Sequence, residues 1–552
     1  MTETVQYPRV RMHWVEELAE KVAKRHRGGV FTGNGGLSVS GLQHVGRLRG
    51  EVTLVDTLLR ILEEKGLETR HMLTLYTMDA WKGKEAQLRQ FSDPEEAKNY
   101  VGWPLYAVPD PHGCHESWVE HYWEDFGGVL DRFARNVEVV TTKELYESNP
   151  RMKEFVSLSV GKHREKIVET INKYRGEKKL PKNYIPFQPV CEKCGRIDTT
   201  EALEVDLKNY RVKYRCRHCG HEGWQSLEKG KLNWRVEWVG VWYTLKVDFE
   251  PYGKDHATPG GSRDSCVDLA ENIYGFAPPS GTAYEWVGYR VRGKDMGDMG
   301  SSDFIGFTPR EWVEVAEPEV LRYLYLSAPP MRRIVLSLEE VPRYYDVFDK
   351  AERVYYGLEE VEDSENVSKS YRYAYLSAPP PNPPFQLRYL HAVILSQLLP
   401  GGGEDIDEVI KRLRETKQLR GSLTEYDLKR IKTRIRLAKR WLEKYAPSYY
   451  RIHLVEEPPI ESLKEVVDSD VEALLQQLYE SLSRLDTWDE ASIKEAMMGL
   501  KKTRSLERRM FKALYLGFFG KPYGPRIAPY LAMLNREAVL QRIKKMLEAT
   551  GR

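Results

Sequence analysis

Four cysteines in two close pairs, Cys191-x2-Cys194 and Cys216-x2-Cys219, leave the middle of this chain little choice of local structure. Two knuckles of that spacing bring their thiolates to one tetrahedral ion, the arrangement of a zinc ribbon. All four positions are cysteine, so no coordination site stays open and the expected Zn2+ is structural, with no catalytic part. With six cysteines in all, the pairing points to a metal in a reducing compartment before a disulfide framework. The nearby His218 and His221 read as solvated surface residues, and Cys114 and Cys266 as small buried hydrophobes.

At 552 residues the chain is long enough for three or four units. A composition of 41% hydrophobic and 30% charged residues, with a mean hydropathy of −0.56, argues against disorder or a membrane span. No apolar run approaches the roughly 18 residues of a bilayer helix. The N-terminal stretch is charged throughout and has no apolar core, so no secretory signal is read and a cytoplasmic protein is expected. Lys and Arg number 84 against 82 Asp and Glu, a net charge of +2, so any nucleic-acid partner must be met by local basic patches.

Periodicity predicts an amphipathic helix from Trp14 to Lys24, then a short strand, Gly29 to Phe31, running into the turn Gly33-Asn34-Gly35-Gly36. A helix from Arg49 to Glu64 follows, with Leu54, Leu58, Leu59 and Leu62 on one face and Gly66 as its stop; Thr69 to Thr77 reads as the next strand. Strand, turn, helix and strand make a parallel βαβ unit whose helix N-terminus, near Gly46, suits a phosphate. The pattern breaks after Val101, where helices carry Trp118, His121 and Trp123 before the cysteine pairs. Leu245 to Phe249 reads as a strand of the resumed sheet, followed by the loop Gly253-Lys254-Asp255-His256 and a helix from Arg263 to Ile273.

Arg322 to Pro330 and Arg372 to Pro380 nearly repeat each other, a repetition to which the sequence assigns no function. Proline-rich Pro379 to Pro384 is extended, and nearly everything from Leu387 to Leu547 is helical in period. The expected division is therefore 1–100 and 231–310 as two halves of an α/β domain, 101–230 as an insertion, 311–385 as a helical connection and 386–552 as an α-helical domain. The helix from Asp427 to Lys444 carries Lys429, Arg430, Lys432, Arg436, Lys439 and Arg440, read as a solvated basic face. Lys501, Lys502, Arg504, Arg508 and Arg509 form a second basic cluster, and two such faces suit a long RNA.

Several motifs resemble the class I lysyl-tRNA synthetases of the archaeal kind, in that family's order. They are His44-Val45-Gly46-Arg47, similar to the class I His-Ile-Gly-His motif; Val108 to Ser117; Trp234-Arg235-Val236-Glu237-Trp238; Phe249 to His256; Gly260-Gly261-Ser262; and Tyr284-Glu285-Trp286-Val287-Gly288. Gly520 to Arg526 is similar to the close of helical anticodon-binding domains of that type.

The resemblance implies an α/β fold: a Rossmann-type parallel-sheet catalytic domain, a zinc-ribbon insertion and an α-helical C-terminal anticodon-binding region. It further implies a lysine–tRNA ligase that uses ATP with Mg2+ to make lysyl-adenylate and charges tRNA(Lys). His44, Gly46, Lys254 and His256 are the implied catalytic positions, and Gly33, Asp79, Trp234 and Tyr284, with His256, the implied lysine pocket.

Where the family has a lysine-rich triphosphate loop the chain reads Asp298-Met299-Gly300-Ser301-Ser302-Asp303, with Lys294 or Arg292 upstream as candidates to restore the charge. Thr77 and Met78 stand where acidic residues are expected before Asp79. Two alternatives remain: a non-catalytic RNA-binding paralogue, and a class I synthetase for another amino acid. The sequence does not set an oligomeric state.

Overall fold

The computed structural model describes residues 12–550, so the first eleven residues of the charged N-terminal stretch lie outside the described residues. Two compact units divide the chain. The first runs up to Val313 and takes in 317–337 and 360–379; the second comprises 314–316, 338–359 and Pro380 onward. The stretch 311–385, expected as one connecting domain, is thus shared between them, and the second unit resumes inside the proline-rich run.

In the first unit, α1 (Trp14–Ala23) starts at a capping box between His13 and Glu16 and buries Val15, Ala19 and Val22. Strands β1 (Phe31–Leu37) and β2 (Thr69–Leu75) flank α2 (Val55–Glu64), whose Leu58, Leu59 and Leu62 are buried. Further on, α3 (Trp118–Gly127) precedes β3 (Val137–Thr141), which completes a parallel sheet in the order β1-β2-β3.

One expectation is corrected here. The glycine-rich stretch is not a turn after a short strand but the body of β1, because the strand needs glycine to pass against its neighbours: a Cβ at Gly35 would stand 2.5 Å from the Glu51 carbonyl oxygen. The helix that follows opens with a π-helical turn, Arg49–Leu54, a form that recurs at functional sites.

Within the insertion, β4 (Thr200–Asp206), β5 (Arg211–Cys216) and β6 (Glu222–Ser226) form an antiparallel sheet. The apolar helix α4 (Trp234–Leu245) then leads back to the cavity, its end marked by Lys246 at φ 53°. The expected strand from Leu245 to Phe249 does not form, since Leu245 still belongs to this buried helix and a short apolar run fits either structure. Phe249 alone reaches the sheet, through single parallel bridges to Gly33 and Ser280.

Beyond the cavity, β7 (Val287–Val291) pairs with β8 (Lys294–Asp298) as a hairpin. The near-repeat belongs to α5 (Pro318–Leu326) and α6 (Ser364–Ala374), which pack on each other. Their matching arginines differ in role. Arg322, fully buried, donates to Asp56 at 2.9 Å, to the carbonyls of Ala374 and Tyr373 at 2.8 and 3.1 Å, and to that of Phe133, whereas Arg372 pairs with Glu64 near the surface. The repetition is thus one of packing.

The second unit is built of helices, among them α7 (Tyr389–Leu398) and α8 (Glu425–Lys444). The solvated basic face expected on α8 is partly internal: Arg430 is buried and pairs with Glu352 at 2.8 Å, and buried Arg434 pairs with Asp349 at 2.7 Å. No helix among the described residues is long and apolar enough to cross a membrane.

Removing Arg322 leaves the Asp56 carboxylate buried with the Arg135 backbone amide at 2.9 Å and, as its one cation, the Arg135 guanidinium at 3.5 Å. Arg322→Met should therefore cost about 3–5 kcal/mol in unfolding free energy, read by denaturant titration, and Asp56→Asn added to it should recover part of the loss. A loss within experimental error would show that the arginine is not needed for the join.

Candidate active site

A cavity of about 490 Å3 opens beside the end of β1, bounded by the helix start at Gly46, by α4 and by the loop after β8. His44 and Gly46 stand on its wall together. The buried His44 ring has no partner on Nδ1, and a Cβ at Gly46 would come within 2.9 Å of that atom, so glycine keeps the helix N-terminus open beside the imidazole. Burial pushes the His44 pKa well below the ordinary value, with Arg47 adding to the effect, so the ring is neutral and offers one N–H and one lone pair. Arg47 donates to Ser301 Oγ at 3.1 Å and ties the loop to this helix start.

At the other end of the cavity, Trp234 stacks on Trp238 at 5.3 Å, and the half-buried His256 ring lies 5.1 Å from Trp238. Burial lowers the His256 pKa against the opposing pull of Asp255. Tyr284 reaches the wall from across the cavity and donates its hydroxyl to Glu51, whose carboxyl burial pushes up to about 7 and whose second oxygen has no partner. Asp79 also stands on the wall, joined at 2.5 Å to Lys231, which binds the buried Glu237 at 2.7 Å. Glu237, raised to about 7 by burial, accepts as well from Tyr146 at 3.0 Å.

Two of the expected residues are not on the wall. Gly33 turns towards Val55 and Leu59 of α2, and Gly36 is the β1 glycine that faces the cavity. Lys254 pairs with Glu285 at 2.6 Å beside the Trp286 ring, at the rim, while its neighbours Gly253 and Asp255 line the wall.

The acidic loop brings Asp298, Met299, Ser301 and Asp303 to the cavity, with Ser302 half-buried beside Asp303. Its carboxylates have cations from elsewhere in the chain: Arg333 binds Asp298 at 3.0 Å and Asp295 at 2.8 Å, and Lys84 binds Asp303 at 2.9 Å. Lys294 is exposed at the start of β8, and Arg292 sits in the hairpin turn at φ 48°. The cations missed in the sequence, Arg333, Lys84 and Lys231, lie far along the chain from the acids they meet, and no local spacing announces them. Glu51 offered a weaker signal: a glutamate among apolar residues one helical turn beyond the His44-Val45-Gly46-Arg47 motif.

Among the described residues, two donor sets fit a metal ion. In the ribbon, Cys191 and Cys219 sulfurs lie 3.6 Å apart and those of Cys194 and Cys216 3.7 Å, close to the edge of about 3.8 Å for a tetrahedron with Zn–S bonds of about 2.3 Å. Gly195 and Gly220, both at φ 73°, turn the two knuckles alike, each donating its amide to the first cysteine of its pair at 2.9 Å. His218 is exposed and His221 half-buried, both outside this donor set.

The second set, Asp110, Cys114, His115 and His121, was not foreseen. Its donor atoms also lie within 4.8 Å of one another. Cys114 Sγ is 3.1 and 3.3 Å from the Nδ1 atoms of His115 and His121, and the buried Asp110 carboxylate is 3.2 Å from the latter. Cys114, expected as a buried hydrophobe, is instead exposed, because three backbone amides wrap its loop around Asp110 and present the thiol outward; Cys266 is buried as expected. The sequence signal was the clustering of Asp, Cys and two His within one short stretch and a helical turn.

Residues 12–377 match the family described as tRNA synthetases class I (K), and residues 403–547 the family described as anticodon binding domain. A lysine–tRNA ligase of Aeropyrum pernix is 46% identical over 544 residues, covering 97% of this chain and 98% of that protein. Those of Pyrococcus horikoshii and Methanocaldococcus jannaschii are 33% and 31% identical, with 97% and 96% of this chain covered and 99% of each relative. Taken with a parallel sheet whose helix start carries His44 and Gly46 at the cavity, these matches make the chain a member of the class I tRNA synthetases, family K, with an anticodon-binding domain at its C-terminal end.

Proposed function

We propose that the chain is a cytoplasmic lysine–tRNA ligase. The observation that carries this reading is a single cavity with an open helix N-terminus and a neutral histidine at one end, and acids among aromatic rings at the other. The first suits the phosphates of ATP, the second an amino acid with a cationic side chain. The lysine carboxylate attacks the ATP α-phosphorus and pyrophosphate leaves; a ribose hydroxyl at the tRNA(Lys) terminus then attacks the acyl carbon and AMP leaves.

His44 holds phosphate oxygens by its N–H, Gly46 admits them to the helix amides, and Trp234, His256, Tyr284 and Asp79 enclose the amino acid. Lys254, from the rim, is placed to meet the triphosphate. Mg2+ bound with ATP neutralises phosphate charge as pyrophosphate departs. The C-terminal domain reads the anticodon, with Lys501, Arg504 and Arg508 exposed to meet the RNA backbone.

A second reading, an RNA-binding paralogue without catalysis, is favoured only by Asp298 and Asp303. Both carboxylates already have cation partners, so the loop does not simply repel a triphosphate. Asp298, Met299, Ser301, Ser302 and Asp303 then form a triphosphate loop whose positive charge comes from Arg333 and Lys84, with Lys294 as a lesser contributor.

ATP–pyrophosphate exchange tests the reading. Exchange should depend on lysine, and no exchange with any amino acid would favour the paralogue. Arg333→Ala should lower kcat/KM for ATP by about 2–4 kcal/mol, and Lys294→Ala by less; the reverse ranking would put the compensating charge in the hairpin strand.

Each of the two donor sets binds one zinc in this reading, the ribbon holding the insertion together and the Asp110 set fixing the start of α3. Metal analysis of the purified protein should give about two zinc ions per chain, falling by one in Cys114→Ser and by one in Cys216→Ser. A single ion in the parent, unchanged in Cys114→Ser, would remove the second centre.

A further inference from the structure

Of the acids around the cavity, Glu250 is the one held by three neutral donors. Asp79 faces Lys231, Asp298 faces Arg333 and Asp303 faces Lys84. The Glu250 side chain is buried, its residue 2% exposed, and accepts from Trp238 Nε1 at 2.7 Å on one oxygen and from Trp242 Nε1 at 3.0 Å and Asn34 Nδ2 at 2.9 Å on the other. Asn34 is itself oriented: its Oδ1 accepts from Thr74 Oγ1 at 2.9 Å, which leaves the NH2 end for the carboxylate. Three built donors hold the group in one orientation within a low-dielectric wall.

The surroundings of this carboxylate suit a cation. Trp234 stacks on Trp238, the ring whose N–H meets the carboxylate, and Tyr76 meets Trp234 edge-on at 5.2 Å. Tyr76 is 3% exposed, lines the cavity and has no hydrogen-bond partner on its hydroxyl. That hydroxyl and the freer oxygen of Glu250 converge on Gly36. A point one bond from the Gly36 Cα, where a Cβ would stand, is 3.7 Å from Tyr76 Oη and 3.6 Å from Glu250 Oε1. Any larger residue at 36 would enter this space.

The nearby Arg263 is spent on the ring faces instead, 4.6 Å from the Trp242 centroid and 5.1 Å from that of Tyr252. Burial raises the Glu250 pKa against the pull of its three hydrogen bonds and of the Arg263 charge, with which it makes no ion pair.

We propose that Glu250 receives the side-chain ammonium of the amino acid, with the Tyr76 hydroxyl as second acceptor and the Trp234 and Trp238 faces as cation–π walls. The inference rests on the lysine reading above and assigns that reading's specificity to one carboxylate. The ammonium gains a charge-assisted hydrogen bond from a buried carboxylate, and a neutral amino acid of the same length leaves the carboxylate unanswered. Rejection of norleucine and methionine follows from that unpaired charge, which discriminates far more strongly than the fit of one methylene does.

Pyrophosphate exchange by the full chain, with lysine and norleucine as alternative substrates, tests the assignment. Glu250→Gln should raise KM for lysine by about 100-fold and reduce the lysine-over-norleucine preference by a similar factor, with KM for ATP within about threefold of the parent. Tyr76→Phe should raise the lysine KM by about tenfold without lowering Tm.

Parent-like lysine KM and preference in Glu250→Gln would overturn the proposal, as would transfer of the whole preference loss to Glu51→Gln, the rival buried carboxyl. Should Glu250→Gln fail to fold, Tyr76→Phe decides, and a parent-like lysine KM there overturns the proposal. If the parent itself activates only an amino acid other than lysine, the functional reading fails; if it activates lysine and these variants do so equally well, only the assignment to Glu250 fails.

Discussion

Strand β1 runs where it does because Gly33, Gly35 and Gly36 carry no side chains. On one face Gly33 lies against Val55 and Leu59 of α2, and Gly35 against the backbone of Glu51. On the other, Gly36 leaves the space into which the Tyr76 and Glu250 polar atoms point. The same economy recurs opposite, where Gly50 receives the Tyr284 ring and Gly46 the His44 ring. A methyl at Gly35 would push the π-helical turn away from the sheet, and with it Glu51, Tyr284 and the helix start at Gly46. Cavity and sheet are in this sense one construction, in which backbone approaches backbone so closely that the site can be lined by side chains from other elements.

Charge is handled in the opposite way, by long reach. Arg322 joins Asp56 across 266 residues of sequence, Arg333 meets Asp298 across 35 and Lys84 meets Asp303 across 219. The buried pair at Arg322 fixes one arrangement of the packed helices, since its desolvation is tolerable only with every donor satisfied. The pairs at the loop are more exposed and individually weak, so they can exchange partners at little cost.

Much of this was legible in the chain. The parallel βαβ start, the cysteine ribbon, the motif around His44 and the helical C-terminal half were readable because each depends on local spacing, whether period 3.6, alternation or a knuckle. What escaped depends on which distant residues meet. Glycines that crowd a strand look in sequence like glycines that make a turn, so β1 was misread as ending at Phe31. Arg430 looked solvated because nothing nearby announces Glu352, and Asp298 looked uncompensated because Arg333 follows only after two intervening helices. Cys114 had its ligand-bearing neighbours in plain view, yet their meaning rests on a loop that wraps around Asp110.

The order in which the chain alternates between its two units has a consequence for synthesis. Residues 338–359 belong to the second unit but are followed by 360–379 of the first. The first unit thus has all its residues once 379 has left the ribosome, while the helix bearing Asp349 has been made but not its partner Arg434, some distance still to come. During that interval a carboxylate destined for burial, and the apolar face around Tyr345 and Phe348, remain in water. Nascent chains paused between these points are the stage at which a chaperone has most apolar surface to hold and a protease most backbone to cut.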